Sequence, residues 1–415
     1  MNTIWEAERM NYEEKYRTKR LEGIILSPIR VISDQARKLK EEGKPVIFFS
    51  MGEPDFNTPD AIKEAAVRAL RNNLTHYSSN RGVLKLRREV SKKLYRDTGV
   101  LYNPDTEIIM TNSGAEAINN AFYSVINPGD EVILPTPSFI NYECLIKMCG
   151  GTVIDIPLKP EKQFQLDVEE IAGHITAKTR LIVINNPCNP TGAVFTEDGL
   201  KALAKLAVER DLLVFSDEIY SNLVYENTKF VSIASFPGMK ERTLLMNGFS
   251  KTYAMTGWRL GYLAVPEWIV DSILRTHQYS CTSGITFIQE GVAEAMNCEE
   301  TLKEVEYMRC EFARRRVLVM KKLDGIRGIT YVKPYGAFYI MLEVSGTGLS
   351  GEEFSRRLLE EEYVATVPCT AFGKEYNNFI RMSYAASEAD ILEGLDRIEA
   401  FVGRIPGRGL QQFGG

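Results

Sequence analysis

What this chain has little of narrows its chemistry. Histidine is scarce: His76, His174 and His277 are the three in 415 residues. So few make a histidine-based metal centre or a hydrolytic triad hard to assemble. The seven cysteines (Cys144, Cys149, Cys188, Cys281, Cys298, Cys310 and Cys369) are odd in number, scattered, and never spaced Cys-x-x-Cys. They read as reduced thiols filling small core positions, so neither a disulfide frame nor a bound metal is expected. Excess positive charge is missing as well. The formal charge of -5 gives no basic field for nucleic acid or an anionic membrane surface. Apolar runs such as Leu181 to Ile184 are far too short to span a bilayer. The opening stretch, Met1 to Arg20, is rich in Glu, Lys and Arg and shows no signal peptide. Together these absences predict a cytoplasmic protein whose chemistry is carried by a cofactor.

What is present is an ordinary globular composition, 44% apolar and 25% charged, long enough to bury a large core. From about Glu107 to Val265 short apolar runs alternate with amphipathic helices such as Ala115 to Ile126 and Thr196 to Arg210. The seven strand candidates are Glu107 to Thr111, Glu131 to Leu134, Thr152 to Ile156, Arg180 to Ile184, Leu212 to Phe215, Thr243 to Met246 and Leu260 to Val265. This alternation predicts an α/β fold with a mainly parallel seven-stranded sheet covered on both faces. Beyond Asn297 a long charged helix, Glu299 to Lys322, leads to strands near Ile329 to Val332, Ala337 to Glu343, Val364 to Val367 and Phe379 to Ser383. Helices Gly351 to Glu362 and Ala389 to Val402 complete a smaller α/β unit.

The N-terminal segment is expected to join that smaller unit, after Ser27-Pro28 breaks the chain ahead of a helix from Ile32 to Lys40. The expected organisation is therefore an N-terminal arm with part of the small domain (1–56), a large domain (57–297), a small C-terminal domain (298–405) and a disordered tail (406–415). The lead-in before about residue 24 reads as a helical or partly disordered arm.

Four strand-to-loop junctions carry polar groups. In Thr111-Asn112-Ser113-Gly114-Ala115-Glu116-Ala117, Ser113 can cap the following helix and Gly114 exposes backbone N–H groups at its positive end, a natural phosphate seat. In Asn186-Pro187-Cys188-Asn189-Pro190-Thr191-Gly192 two prolines fix the loop, and Asn189 can donate to a phenolate oxygen. Ser216-Asp217-Glu218-Ile219-Tyr220 ends an apolar strand with a carboxylate able to keep a pyridine nitrogen protonated. The fourth junction, Gly248 to Tyr262, places Lys251 at the rim of the sheet with Arg259 eight positions on. An amine that acts as a nucleophile needs a depressed pKa, which burial or a neighbouring cation supplies. Each junction alone could be a capped helix, a turn or solvated surface.

In order along the chain they resemble the pyridoxal-phosphate enzymes of fold type I, specifically the class I and II aminotransferases of the aspartate aminotransferase kind. Gly52-Glu53-Pro54-Asp55-Phe56 and Phe379-Ile380-Arg381-Met382-Ser383 add to the match, which covers roughly residues 27–403. The resemblance implies pyridoxal 5'-phosphate as cofactor and Lys251 as the lysine that carries it. Arg259 and Ser250 would hold the phosphate, as would the backbone of Gly114, Ala115 and Glu116. Asp217 would hold the pyridine nitrogen, Tyr220 and Asn189 the ring oxygen, and Phe139 would stack on the ring. Arg381 would clamp the substrate α-carboxylate, with Gly52 closing over it. Tyr77 would reach the phosphate of a neighbouring subunit, which implies a homodimer with shared sites.

Two positions depart from the pattern. Gly248 stands where many relatives have a phosphate-binding Ser, and Cys369 where relatives often have Gly, which would strain the loop if that position needs a positive φ. The implied activity is a ping-pong transfer of an amino group from an L-amino acid to a 2-oxo acid such as 2-oxoglutarate. Aspartate is the first donor to expect, followed by aromatic amino acids or alanine, and Arg30 is a candidate for reading the side chain. A pyridoxal-phosphate carbon–sulfur lyase would use the same binding residues. A regulator with an aminotransferase-like effector module would need a DNA-binding domain ahead of the fold, for which about 26 residues leave no room.

Overall fold

The computed structural model describes residues 15–16 and 18–405, so the expectations for the start of the arm and for the tail lie outside the described residues. The chain enters through α1 (Pro28–Glu41) and the short strand β1 (Ile47–Phe48), followed by α2 (Asp60–Arg71) and α3 (Leu84–Thr98). The large sheet is then built from β2 (Ile108–Thr111), β3 (Glu131–Thr136), β4 (Thr152–Pro157), β5 (Thr179–Asn185), β6 (Leu213–Asp217), β7 (Thr243–Gly248) and β8 (Gly261–Ala264). Their spatial order is β2-β8-β7-β6-β5-β3-β4. All pairings are parallel except those of β8, which runs antiparallel to both β2 and β7. The middle strands read as near-continuous apolar runs because both faces are covered: all but one residue of β5 is buried.

On one face lie α4 (Gly114–Val125), α5 (Asn141–Met148) and α8 (Glu267–Cys281), burying Ile118, Phe122, Ile146 and Ile273 against Val183, Phe215 and Leu263. Between α5 and α8 in sequence fall α6 (Val168–Gly173) and α7 (Glu197–Glu209); the latter buries Leu200 and Leu203 under Ile182 and Val214. Then come α9 (Thr286–Ala295) and α10 (Glu299–Leu323).

The second body holds β9 (Thr330–Tyr331), β10 (Tyr339–Glu343), α11 (Gly351–Glu362), β11 (Val364–Ala365), β12 (Val367–Pro368), β13 (Phe379–Ser383) and α12 (Glu388–Arg404). Its antiparallel sheet runs β12-β13-β10-β9. Phe312, Ile340, Ile380 and Leu395 share a core with Ile47 and Phe49 from the β1 region.

Two local expectations are corrected. Ser27-Pro28 does not break the chain ahead of the helix, because Pro28 is the first residue of α1. Its missing N–H would be unpaired there anyway. The single strand expected from Val364 to Val367 is two: β11 pairs in parallel with β1, and β12 pairs with β13.

Strand register decides where polar groups gather. Asn185 on β5 lies beside Asp217 on β6. Gly261 on β8 lies beside both Gly248 on β7 and Thr111 on β2. The loops that leave these ends surround one crevice at the edge of the sheet, where open α/β folds hold ligands.

Candidate functional site

The crevice is a cavity of about 450 Å³. From the large sheet it is walled by Gly114, Ala115, Phe139, Asn189, Asp217 and Tyr220, together with Ser250, Lys251 and Arg259. Gly52 and Arg381 close it from the other side.

Lys251 sits just past the end of β7, half-buried, and its Nζ donates to the Gly52 carbonyl at 2.5 Å. Burial lowers its pKa to about 8; Arg381 and Arg259 push the same way, while Glu53 and Asp217 oppose them. An ammonium so weakened gives up its proton near neutral pH. Gly248, three residues earlier, is tightly packed: a Cβ there would lie 3.1 Å from Ile219 Cδ1 and from the Leu260 carbonyl oxygen, so a side chain would need its neighbours to give way. The hydroxyl at the cavity wall is Ser250.

Asp217 ends β6 fully buried. Tyr142 Oη donates to one carboxylate oxygen at 2.5 Å, and the Ile219 N–H to the other at 3.0 Å. Burial lifts the carboxyl to about 6 against the pull of those two donors. Its neighbour Glu218 is held instead by Ser216 and Ser232, whose hydroxyls donate to Oε1 at 2.9 and 2.6 Å.

Arg381 is inward-facing on β13 and 2% exposed. Its terminal nitrogens donate to Asn189 Oδ1 at 3.0 Å and to the Ser50 carbonyl at 2.7 Å. The guanidinium carbon lies 4.6 Å from the centre of the Tyr339 ring and 5.1 Å from that of Phe372. Nε is buried with no partner among the described residues. Tyr339 Oη hydrogen-bonds Tyr220 Oη at 2.8 Å, and a Cβ on Gly52 would overlap it. Glycine is therefore required where the backbone passes over Tyr339.

The start of α4 has an unusual geometry. Ser113 occupies the cap position with φ of 102°, and its side chain makes no capping bond, contrary to the sequence expectation. The positive φ turns the chain so that the helix N-terminus faces the cavity, leaving its N–H groups for an anion. Gly261 makes this possible: a Cβ there would sit 2.8 Å from Gly114 N and from Ser113 C. Arg259, also at positive φ (55°), extends an exposed guanidinium along the same wall and donates to the Thr256 carbonyl at 2.8 Å.

Two expected residues stand apart. Glu116 does not line the cavity; its carboxylate accepts from His277, Asn120 and the Asn112 N–H. Tyr77 is 88% exposed and also lies outside the cavity. Cys369 is buried at the start of a short 3-10 turn and is not among the positive-φ residues, so cysteine introduces no backbone strain there. Sequence reasoning missed Tyr142, Tyr339 and the Ser50 carbonyl. A signal existed for the first: Tyr142 lies three positions after Phe139, one helical turn from a residue already placed at the site.

The family described as aminotransferase class I and II matches residues 44–398. An aromatic-amino-acid aminotransferase of Thermococcus litoralis is 44% identical over 92% of this chain and 96% of its own length. An aspartate aminotransferase of Pyrococcus abyssi is 42% identical over the same shares. Among solved structures, the aspartate aminotransferase of Thermus thermophilus with maleate superimposes with a TM-score of 0.88 at 36% identity, covering 92% of this chain and 98% of that one. With the family matched over most of its length, the chain belongs to the class I and II aminotransferases.

Proposed function

We propose that this aminotransferase moves an amino group from an L-amino acid, aspartate first and aromatic amino acids or alanine next, to a 2-oxo acid such as 2-oxoglutarate. Relatives named for aspartate and for aromatic amino acids support both of those donors. The carrying observation is that Lys251, Asp217, Arg381 and the uncapped N-terminus of α4 all face one cavity.

The residues present fit pyridoxal 5'-phosphate. The bare start of α4, floored by Gly261 and flanked by Ser250 and Arg259, suits a phosphate. A buried carboxylate lifted to about 6 suits a cationic ring nitrogen, which would return it to its ionised form. Tyr220 and Asn189 would hold the ring oxygen, and Phe139 would cover the ring. When bound, the cofactor supplies an electron sink for the pair left behind as the substrate loses its Cα proton.

The chain's own part is binding and proton transfer. Arg381 grips the α-carboxylate through two parallel N–H bonds, a geometry a lysine cannot reproduce. Its contacts with the Tyr339 and Phe372 rings hold the guanidinium in place before substrate arrives. Lys251 Nζ would take the proton from the substrate Cα and hand it to a carbon of the bound cofactor, and a pKa lowered to about 8 suits both steps near neutral pH. Gly52, whose carbonyl holds Nζ, covers the carboxylate with its backbone. The exposed Tyr77 is assigned to the phosphate of a second copy in a homodimer. No helix among the described residues is long and apolar enough to cross a membrane, and a cytoplasmic location is part of this reading.

A half-reaction panel tests the assignment: single amino acids are added to cofactor-loaded protein with no 2-oxo acid, and the cofactor spectrum is followed. Conversion to the amine form by aspartate or an aromatic amino acid supports it. Failure of every amino acid, with pyruvate and ammonia released from a cysteine thioether, would move the reaction to carbon–sulfur cleavage.

A further inference from the structure

The carboxylate of Glu116, turned away from the cavity, closes a second cluster on the far side of α4. His277 and Cys281 are four residues apart on α8 and so share one face of that helix. α4 packs directly on α8. Glu116 Oε1 lies 2.7 Å from His277 Nδ1 and 3.3 Å from Cys281 Sγ, and Sγ lies 3.4 Å from Nδ1. His277 is fully buried, while Glu116 and Cys281 are half-buried. The Asn112 side chain is within hydrogen-bond reach of the Cys281 thiol.

As a hydrogen-bond network this cluster is unbalanced. Glu116 Oε1 alone receives His277, Cys281 and, at 2.8 Å, Asn120 Nδ2. Meanwhile Asn112 Oδ1 and Asn120 Oδ1 are buried with no donor among the described residues. Acceptors left without donors are costly in a protein interior. A cation beside the Cys281 thiol would supply a partner for Asn112 Oδ1 once that side-chain amide turns its oxygen inward. Ligand atoms around a tetrahedral zinc ion, at bond lengths of about 2.0 to 2.3 Å, stand about 3.3 to 3.7 Å apart. Two of the three separations here already match that spacing, and the third needs to open by only about half an ångström.

We propose that Glu116, His277 and Cys281 form a binding site for a thiophilic divalent cation, with Zn(II) the best fit and Asn112 Oδ1 or a water as fourth ligand. One thiolate, one imidazole and one carboxylate make a donor set that selects zinc or cobalt over magnesium or calcium. On binding, the Cys281 thiol proton leaves to solvent, and His277 presents the Nδ1 lone pair with its proton on Nε2; no oxidation is involved. The ion ties α4 to α8 through Glu116, and with Asn112 as fourth ligand it holds both sides of Ser113-Gly114-Ala115, the segment that walls the cavity. It is a structural site, outside the transfer chemistry. The sequence reading expected no metal from the scarcity of histidine and the scattered cysteines; Glu116 and His277 are 161 residues apart, and only the packing of α4 on α8 unites them.

The test uses full-length, cofactor-loaded protein freed of metal by a chelator and titrated with Co(II). The expected result is one equivalent bound per chain, with intense red-region d–d bands clear of the cofactor and a thiolate-to-cobalt charge-transfer band, both abolished by added Zn(II). Cys281→Ser should remove the charge-transfer band, and His277→Gln should weaken binding at least tenfold. Should either variant fold poorly, the unmodified protein still decides the matter, through mapping of alkylated peptides with and without zinc. Selective protection of Cys281 supports the site. A cobalt spectrum lacking the thiolate band, one unchanged by Cys281→Ser, or equal alkylation of Cys281 with and without zinc would overturn it.

Discussion

Replacing Asp217 by asparagine measures the electrostatic strain that burial builds into this carboxylate. Burial raises this carboxyl from 3.8 to about 6. Between those values the folded chain holds a proton that the unfolded chain has released. Asp217 therefore costs nothing below the unfolded value, its cost grows as pH rises towards the folded value, and it levels off above. At about 1.4 kcal/mol per pH unit, the interval from 3.8 to about 6 corresponds to about 3 kcal/mol of destabilisation at neutral pH. Asparagine removes the charge and keeps the shape. Its Oδ1 still accepts from the Ile219 N–H, and Tyr142 Oη can turn to accept from the new Nδ2, for a loss of about 1 kcal/mol.

The cofactor-free Asp217→Asn protein should thus be about 2 kcal/mol more stable than the parent at about pH 7. The advantage should fade as pH falls towards the unfolded carboxyl range. Relief of Glu218, which the Asp217 charge helps to push upward, acts in the same direction. Urea unfolding of both proteins across pH reads the difference, and other titrating groups cancel in the comparison. A variant that is less stable at neutral pH, or an advantage that does not change with pH, would refute the reasoning. The same substitution should nearly abolish the half-reaction, because the ring nitrogen loses its counter-charge.

Other substitutions probe other parts of the site. Arg381→Lys keeps the charge but loses one of two charge-assisted hydrogen bonds, worth about 1.5 to 3 kcal/mol. Steady-state kinetics should show kcat/KM lower by about ten- to a hundredfold for every amino donor; a loss confined to one donor would contradict the α-carboxylate role. Gly261→Ala drives a Cβ against the backbone at Gly114, so the start of α4 must shift. Cofactor affinity, followed by titration of the stripped protein, should fall while circular dichroism stays unchanged, and unaltered affinity would remove the α4 phosphate seat. Tyr142→Phe deletes a donor to the Asp217 carboxylate, and should weaken cofactor binding by about tenfold or more in the same titration.

Much of this arrangement is legible in the sequence because it depends on local pattern. All seven strands of the large sheet lie within two residues of the apolar runs that announced them, from Ile108–Thr111 to Gly261–Ala264. Buried parallel strands demand such runs, and the turn-forming residues at their ends mark the loops of the site. What stayed hidden depends on tertiary packing. Nothing local marks β8 as antiparallel, since its direction follows from the long loop through Lys251 and Arg259 that returns the chain to the same sheet edge. The Tyr220–Tyr339 pair joins residues 119 positions apart, and the Arg381–Ser50 bond spans 331. Glu116 illustrates the limit from the other side. Its place at the start of α4 was legible, but its carboxylate faces α8, because His277 sits there with Nδ1 at 2.7 Å.

Lys251→Ala, followed in the half-reaction with aspartate, decides whether this lysine moves the Cα proton. Its reference is the unmodified protein under the same cofactor loading. The variant should bind pyridoxal phosphate and aspartate but lose nearly all conversion to the amine form, because no other group at the cavity is assigned to carry the Cα proton. Conversion at the unmodified rate would contradict the assignment of Lys251 and, with it, the mechanism built on this cavity.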